Sequence, residues 1–198
     1  PSDGNQFLKD GYNTHYGKDF IEWYQGVLQD HAKRIGALAH QAFDPVFNAE
    51  SKILILGSFP SVKSREQMFF YGHPQNRFWK VVAAVHNAPV PVTIPQKKEF
   101  LLQHHIAVWD VIQSCDIVGS SDSSIKNVVP ADIGRVLKNS NIKKIYANGN
   151  TAKKLYDKYV LPNVHMEIEG LPSTSPANAG YTLEKLLEAW KTIKEVIL

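Results

Sequence analysis

The sequence predicts an α/β fold in which a short, mostly parallel sheet is covered by helices on both faces. Short apolar runs that read as strands recur at residues 53–56, 106–109, 142–147 and 164–168. Helical periodicity lies between and after these runs, over residues 78–86, 97–103, 131–139, 151–159 and 183–198. Buried strands that alternate with helices are typical of parallel sheets. The chain contains no internal repeat and no low-complexity segment.

The first part of the chain predicts a separate element. Residues 18–38 place apolar side chains on one face at helical spacing, namely Phe20, Tyr24, Val27, Leu28, Ile35 and Leu38. We therefore expect residues 1–45 to form an N-terminal helical extension that packs on the core, and residues 46–198 to form the main domain. The last helix has the clearest apolar stripe, and Thr182 precedes it as a candidate N-cap.

Composition limits the classes of protein that fit. The chain has 198 residues, is 43% hydrophobic and contains a single cysteine, Cys115. No intramolecular disulfide is thus predicted, and without a Cys-x-x-Cys pair no zinc or iron–sulfur site is predicted either. No apolar stretch reaches about 18 residues and the N-terminus lacks a signal-peptide pattern, so we expect an intracellular, cytoplasmic and nucleoid-associated protein. A net charge of +3 permits a polyanionic partner without requiring one.

Four segments follow predicted strand ends, where ligands bind in parallel α/β sheets. They span residues 57–79, 110–127, 148–150 and 169–180. The first holds about twenty irregular residues, and loops of that length are usually functional or disordered. Its aromatic content argues against disorder. Neither GxxxxGK[ST] nor GxGxxG follows the first strand, so no nucleotide cofactor is predicted.

The stretch YGHPQNRFW at residues 71–79 combines an aromatic ring, an amide and a cation. An aromatic face beside an amide suits a flat heterocyclic base. The ring stacks on the base, and the amide forms hydrogen bonds with the donors and acceptors on its edge. The alternative is that Asn76 only caps the helix that follows it, and that His73 only fixes the loop. Asn148 lies at the end of another predicted strand. It either points toward the same site or only forms a simple Asn-Gly turn.

The last segment, LPSTSPANAG at residues 171–180, places three hydroxyl residues between two prolines. A stiff loop with hydroxyl and backbone N–H donors suits a phosphodiester, because phosphates receive half or more of protein–DNA hydrogen bonds. The alternative is an ordinary polar connection into the last helix.

Three blocks together resemble the uracil-DNA glycosylase superfamily, and within it most closely the hypoxanthine-DNA (deoxyinosine) glycosylase branch. The blocks are LILGSFPSVKS at 54–64, FYGHPQNRFWKV at 70–81 and LPSTSPANA at 171–179, and residues 109–130 are also similar. The resemblance covers residues 42–198. It implies a three-layer α/β/α sandwich and a monofunctional DNA glycosylase, a hydrolase of N-glycosyl bonds. Such an enzyme flips a deaminated base out of DNA and initiates base excision repair without metal or cofactor.

Two positions depart from the uracil-cleaving branches. Phe59 stands where those branches carry an acidic residue or Asn, and Leu171 stands where the best-known branch carries His. We therefore expect poor uracil excision. The resemblance makes Asn76 the catalytic residue, acting on water or on the base. Because two amides match the O6 acceptor and N1–H donor of hypoxanthine, we expect Asn148 to assist it.

The remaining site residues divide into two groups. The expected base-binding residues are Gly57, Ser58, Phe59, Tyr71 and Asn148. The expected DNA-binding residues are Ser61, Ser64, His73, Pro172, Ser173, Thr174, Ser175 and Asn178. Lys63, Arg65 and Arg77 would add long-range attraction to DNA or would simply be solvated.

The expected partner is damaged DNA, bound by a monomer, with no membrane, metal or nucleotide cofactor. Two alternatives stay open. One is a glycosylase of the same fold that prefers uracil, xanthine or a mismatched base. The other is a lesion-binding module that has lost catalysis.

Overall fold

The computed structural model describes residue 23, residues 37–41 and residues 43–197. The chain divides into two units, Pro1–Ala37 and Leu38–Leu198, and the second unit holds the fold described below. The helix predicted over residues 18–38 lies outside the described residues, apart from residue 23 and from its last two positions, which belong to a strand. The predicted division at residue 45 stays a prediction.

Seven strands form two sheets in the described part of the chain. They are β1 (Ala37–His40), β2 (Ile53–Gly57), β3 (Ile106–Asp110), β4 (Ile112–Ile117), β5 (Lys126–Pro130), β6 (Lys144–Asn148) and β7 (Ile168–Leu171). The helices are α1 (Val62–Gln67), α2 (Phe78–Val85), α3 (Ile94–Gln103), α4 (Ile133–Lys138), α5 (Asn150–Tyr159), α6 (Leu161–Val164), α7 (Leu183–Trp190) and α8 (Thr192–Glu195). A 3-10 turn covers Asp122–Ser124.

The central sheet is parallel and has the strand order β3-β2-β6-β7. Every residue of β2 and of β3 is buried, which explains why both read as continuous apolar runs. Helix α3 packs near β3, α5 packs near β6 and β7, and α2 contacts α7. The predicted α/β class is therefore confirmed.

Four elements differ from the prediction. The segment predicted to be irregular at residues 110–127 instead contains β4 and the start of β5, and these two strands join β1 in a second sheet. Helix α1 lies inside the segment predicted to be irregular, because the Ser61 side chain accepts from the backbone N–H of Ser64 and caps it. The fourth strand of the central sheet covers residues 168–171 rather than 164–168. The last helix divides at Lys191 into α7 and α8.

The register of the parallel sheet brings its carboxyl ends together. Gly57 pairs with Asp110, and Asn148 pairs with Leu171, so β2, β3, β6 and β7 end at one edge. Among the described residues no helix is long and apolar enough to span a membrane.

Candidate active site

A cavity of about 580 Å³ lies at the carboxyl edge of the central sheet. Its walls come from the segment after β2, the segment around the 3-10 turn, the end of β6 and the segment after β7. Its volume falls in the range of ligand pockets, which is about 300–1,000 Å³. The polar side chains that line it include those of Tyr71, Asn76, Asp110 and Asn148.

The amide of Asn76 has a fixed orientation. Its Oδ1 accepts from the backbone N–H of Phe78 at 2.9 Å and from the hydroxyl of Thr174 at 2.9 Å. A backbone N–H can only donate, so the oxygen must face α2 and the Nδ2 group is left for the cavity. Asn76 thus accepts from the backbone N–H of the first residue of α2 and also lines the cavity, while the N-cap position of the helix is Arg77.

The amide of Asn148 is held by the same threonine. Its Oδ1 accepts from the backbone N–H of Thr174 at 2.9 Å, and its Nδ2 donates to the Thr174 hydroxyl at 2.9 Å. The Thr174 side chain is fully buried. One hydroxyl therefore links two amides that are far apart in sequence, one just before α2 and one at the end of β6, and it fixes both.

We expect Thr174→Val to impair the site far more than Thr174→Ser. Valine has nearly the same shape but no hydroxyl, so both amides lose a partner and one buried donor is left unpaired. That loss lowers the free energy of unfolding by about 1–3 kcal/mol. Serine keeps the hydroxyl and the link. Equilibrium unfolding together with the activity assay described below checks this, and equal behaviour of the two variants would contradict the role given to the hydroxyl.

Two aromatic rings form walls of the cavity. The Tyr71 ring stacks on Phe78, with centroids 3.8 Å apart and planes 23° apart. Its backbone is left-handed, with φ of 53°, and its hydroxyl has no hydrogen-bond partner among the described residues. Phe59 is almost completely buried, and the guanidinium of Arg65 lies 5.4 Å from its ring centroid.

The carboxyl of Asp110, at the end of β3, is a site group that the sequence analysis missed. The side chain is 4% exposed, and its Oδ2 accepts from Gln41 Nε2 at 3.2 Å. Burial raises the pKa of Asp110 to about 7, the Gln41 hydrogen bond opposes this, and the charge of Asp122 adds to it. The available signal was its position, because Asp110 is the first residue after a predicted strand.

The segment around the 3-10 turn closes another side of the cavity. Asp122 Oδ1 accepts from the hydroxyl of Ser58 at 3.0 Å, and Ser120 Oγ accepts from the backbone N–H of Val62 at 2.9 Å. Arg65 donates to the carbonyls of Pro60 and Gly119. These contacts connect the segment after β2 to residues that follow β4.

Arg77 organises the loop after β7 from the N-terminal end of α2. Its guanidinium donates to the carbonyl oxygens of Thr174, Ser175, Asn178 and Tyr181. The contacts to Ser175 and Asn178 measure 2.8 Å and 3.0 Å. Arg77 is therefore a structural cation that shapes the loop, which answers the question left open for it from the sequence.

We expect Arg77→Lys to behave almost as Arg77→Ala does. A guanidinium presents several N–H donors in a fixed plane, whereas the donors of an ammonium group lie on one nitrogen atom that cannot reach four carbonyls. Both variants should lower the free energy of unfolding by about 2 kcal/mol, since hydrogen bonds to charged groups are worth about 1.5–3 kcal/mol. Urea unfolding measures this, with Lys80→Ala, exposed on the same helix, as the control. Full rescue by lysine would contradict the multidentate role.

The structure brings most of the predicted site residues to this cavity. Those that line it are Gly57, Ser58, Phe59, Ser61, Ser64, Tyr71, His73, Asn76, Asn148, Ser173 and Ser175. Pro172, Thr174 and Asn178 do not line it. Thr174 is fully buried between the two amides, so its hydroxyl is not placed to meet a phosphate. Asn178 instead donates to the Ser173 carbonyl within its own loop.

Comparison with known proteins separates the two ends of the chain. The glycosyl hydrolase family 14 model matches residues 1–64. Over 57 residues the chain is 56% identical to a β-amylase of Bacillus cereus, a match that covers 29% of this chain and 10% of the amylase. The chain thus spans about a tenth of the length of that relative. The sequence analysis found no resemblance for its first forty residues.

Most of the chain matches a different family, and this match overlaps the end of the first one. The uracil DNA glycosylase superfamily model matches residues 45–194. A hypoxanthine DNA glycosylase of Methanosarcina acetivorans is 30% identical over 155 residues, covering 77% of this chain and 96% of that protein. The solution NMR structure of a provisionally assigned uracil DNA glycosylase from the same organism superimposes with a TM-score of 0.69 at 27% identity, over 81% of this chain and 99% of that one. The chain therefore belongs to the uracil DNA glycosylase superfamily.

Proposed function

We propose that this protein is a DNA glycosylase that releases hypoxanthine from DNA by hydrolysis of the N-glycosidic bond. The family membership supports the reaction class, and the relative from Methanosarcina acetivorans, named for hypoxanthine, supports the substrate. The observation that carries the proposal is the unit formed by Asn76, Thr174 and Asn148 at the carboxyl edge of the sheet.

This unit suits a base that has left the DNA stack. Its two amides are held by hydrogen bonds to Thr174 and to the backbone N–H of Phe78, and a site held rigidly before binding needs little reorganisation during reaction. Tyr71 and Phe59 offer aromatic surface, on which stacking is worth about 1–3 kcal/mol per base. That gain offsets part of the few kcal/mol that flipping a nucleotide costs.

The orientation of Asn76 favours a role on the leaving base. Water activation needs an acceptor for a proton, but the Asn76 oxygen already accepts two hydrogen bonds. Its Nδ2 can instead donate to a purine acceptor and stabilise the negative charge that develops as the bond between C1′ and N9 breaks. The bonding electrons stay with the purine, and a water oxygen bonds to C1′. One water proton ends on the base, so the products are hypoxanthine and an abasic site.

The mouth of the cavity offers hydroxyl groups to the DNA backbone. Ser61, Ser173 and Ser175 line it, and Ser173 and Ser175 each also accept a hydrogen bond from a nearby backbone N–H. Hydroxyls held in this way remain free to donate to phosphate oxygens. We propose that they hold the phosphates beside the flipped nucleotide.

Uracil should be a poor substrate. Phe59 lines the cavity without any polar atom, and Leu171 is buried and does not line it. Neither position can activate water or stabilise a uracil anion. Pyrimidine excision would then lack the two groups that the resemblance associates with it.

The test is base release from duplex DNA that carries one hypoxanthine, uracil, xanthine or G·T mismatch, measured without magnesium. We expect hypoxanthine to be released fastest, by at least about 10-fold over uracil, which corresponds to about 1.4 kcal/mol in the barrier. Uracil as the preferred substrate would contradict our interpretation of Phe59 and Leu171. Tight binding of lesion DNA without release of any base would overturn the enzymatic proposal and favour a lesion-binding module.

A further inference from the structure

Asn76 presents a donor rather than an acceptor to the cavity, and both ends of the Asn148 amide are engaged by Thr174. Asn76 Oδ1 has two partners and Asn148 Oδ1 accepts from the backbone of Thr174. This differs from the expectation that the amides match both halves of the hypoxanthine lactam. They suit its O6 acceptor, but its N1–H donor still needs an acceptor.

The Asp110 carboxyl supplies an acceptor at the floor of the same cavity. Its Oδ1 lies 2.3 Å from the point where a Cβ on Gly57 would stand, and the Tyr71 hydroxyl lies 3.6 Å from that point. Oδ2 is turned toward Gln41. Oδ1 therefore lies beside Gly57, where no side chain covers it, close to the hydroxyl of Tyr71.

We propose that the Asp110 carboxylate accepts the N1–H of the flipped hypoxanthine and so acts as a specificity-determining residue. This inference rests on the proposed function and adds the group that reads the lactam. Asn148 or Asn76 donates to O6 while Asp110 accepts from N1–H. Adenine carries an acceptor at N1 and a donor at N6, so each contact would be mismatched. A site that bonds one pattern in a buried setting rejects the other strongly.

The proposal requires the charged form of Asp110. A protonated carboxyl carries both a donor and an acceptor and would therefore pair with hypoxanthine or with adenine. Because burial raises the pKa of Asp110 to about 7, the selective carboxylate forms as the pH rises through neutrality. The other titratable groups that line the cavity are Lys63, Tyr71, His73 and Asp122.

Asp110→Asn tests the proposal directly, because the surrounding residues should tolerate the substitution. Gln41 Oε1 is buried without a hydrogen-bond partner among the described residues, so it can accept from the new amide nitrogen. The amide oxygen then keeps the place of Oδ1 beside Gly57. The variant retains an acceptor but loses the ionisation. Asp122→Asn is the matched control, since Asp122 is an exposed carboxylate that lines the same cavity. Because the charge of Asp122 raises the pKa of Asp110, this variant should keep the rise with pH but show it at a lower pH than wild type.

The experiment measures binding and single-turnover release between about pH 6 and about pH 8. The binding probe is a duplex with 2′-fluorodeoxyinosine, because its electron-withdrawing fluorine slows cleavage of the glycosidic bond. Binding of an undamaged duplex is measured as well, to correct for contacts with the phosphates. For wild type and for Asp122→Asn, we expect lesion preference and rate to rise with pH, by about 10-fold per unit below the pKa. For Asp110→Asn we expect both to be flat.

Three outcomes would overturn the inference. They are a wild-type preference that is flat or falls with pH, an Asp110→Asn variant that keeps the rise, and an Asp122→Asn variant that loses it. A falling profile would indicate that the protonated carboxyl is the working form. If wild type releases no hypoxanthine at any pH, the proposed function itself fails. If wild type releases hypoxanthine and only the pH dependence is missing, the role of Asp110 alone fails.

Discussion

Replacing Asn76 by aspartate is expected to stop hypoxanthine release while leaving the fold intact. An aspartate keeps an oxygen at the position of Oδ1, which accepts from both the Phe78 N–H and the Thr174 hydroxyl. It has no N–H, so the donor to the leaving base is lost and a negative charge takes its place. Removal of one donor that stabilises a developing anion costs about 100- to 1,000-fold in rate. Single-turnover release from a hypoxanthine duplex measures the loss.

Asn76→Ala separates the two functions of this side chain. It removes the donor together with the oxygen that accepts from the Phe78 N–H and the Thr174 hydroxyl, so we expect the rate loss to be joined by a loss of about 1 kcal/mol in stability. Asn76→Asp should show the rate loss without that destabilisation. If Asn76→Asp releases hypoxanthine at the wild-type rate, the Nδ2 group has no part in the reaction.

Gly57→Ala is expected to disable the site through Asp110. A Cβ at this position would stand 2.3 Å from the Asp110 Oδ1, a separation that no carbon–oxygen pair tolerates without movement. The carboxyl is buried and paired with Gln41, so it must turn away from the cavity. We expect hypoxanthine release to fall by about 100-fold or more, and stability to fall by about 1–3 kcal/mol, as for other overpacked cores.

The control for this prediction is Gly180→Ala. A Cβ on Gly180 meets nothing within 4 Å, so the same chemical change occurs without a clash. Differential scanning calorimetry and the release assay should find Gly180→Ala close to wild type. A Gly57→Ala variant that releases hypoxanthine at an undiminished rate would show that the Asp110 carboxyl does not need its present place.

The strands and their common edge were predictable because each buried strand is a continuous apolar run in the sequence. Residues 53–56 and 106–109 are uniformly apolar, and both become fully covered strands of the parallel sheet. The site position followed from that sheet, since segments leaving its carboxyl ends must meet. In the structure Tyr71, Asn76 and Asn148, three of the predicted site residues, line one cavity.

The parts that escaped prediction depend on contacts between distant residues. In the sequence Thr174 is one of three neighbouring hydroxyl residues. Its burial between Asn76 and Asn148 arises only where two loops meet in the folded protein. In the sequence Asp110 is only a polar residue that follows a predicted strand. Its raised pKa arises from burial, which no local sequence pattern indicates. Gln41 reaches Asp110 across 69 residues of chain. Long-range hydrogen bonds of this kind leave no periodicity in a sequence.

We propose that the cavity at the carboxyl edge of the sheet holds a flipped hypoxanthine. The most direct measurement is a crystal structure of the protein bound to a duplex with a single 2′-fluorodeoxyinosine. We predict that the base lies in the cavity against Tyr71 or Phe59, within hydrogen-bonding distance of Asn76, Asp110 and Asn148. A base that stays stacked in the duplex, or that occupies any other surface of the protein, would contradict the account.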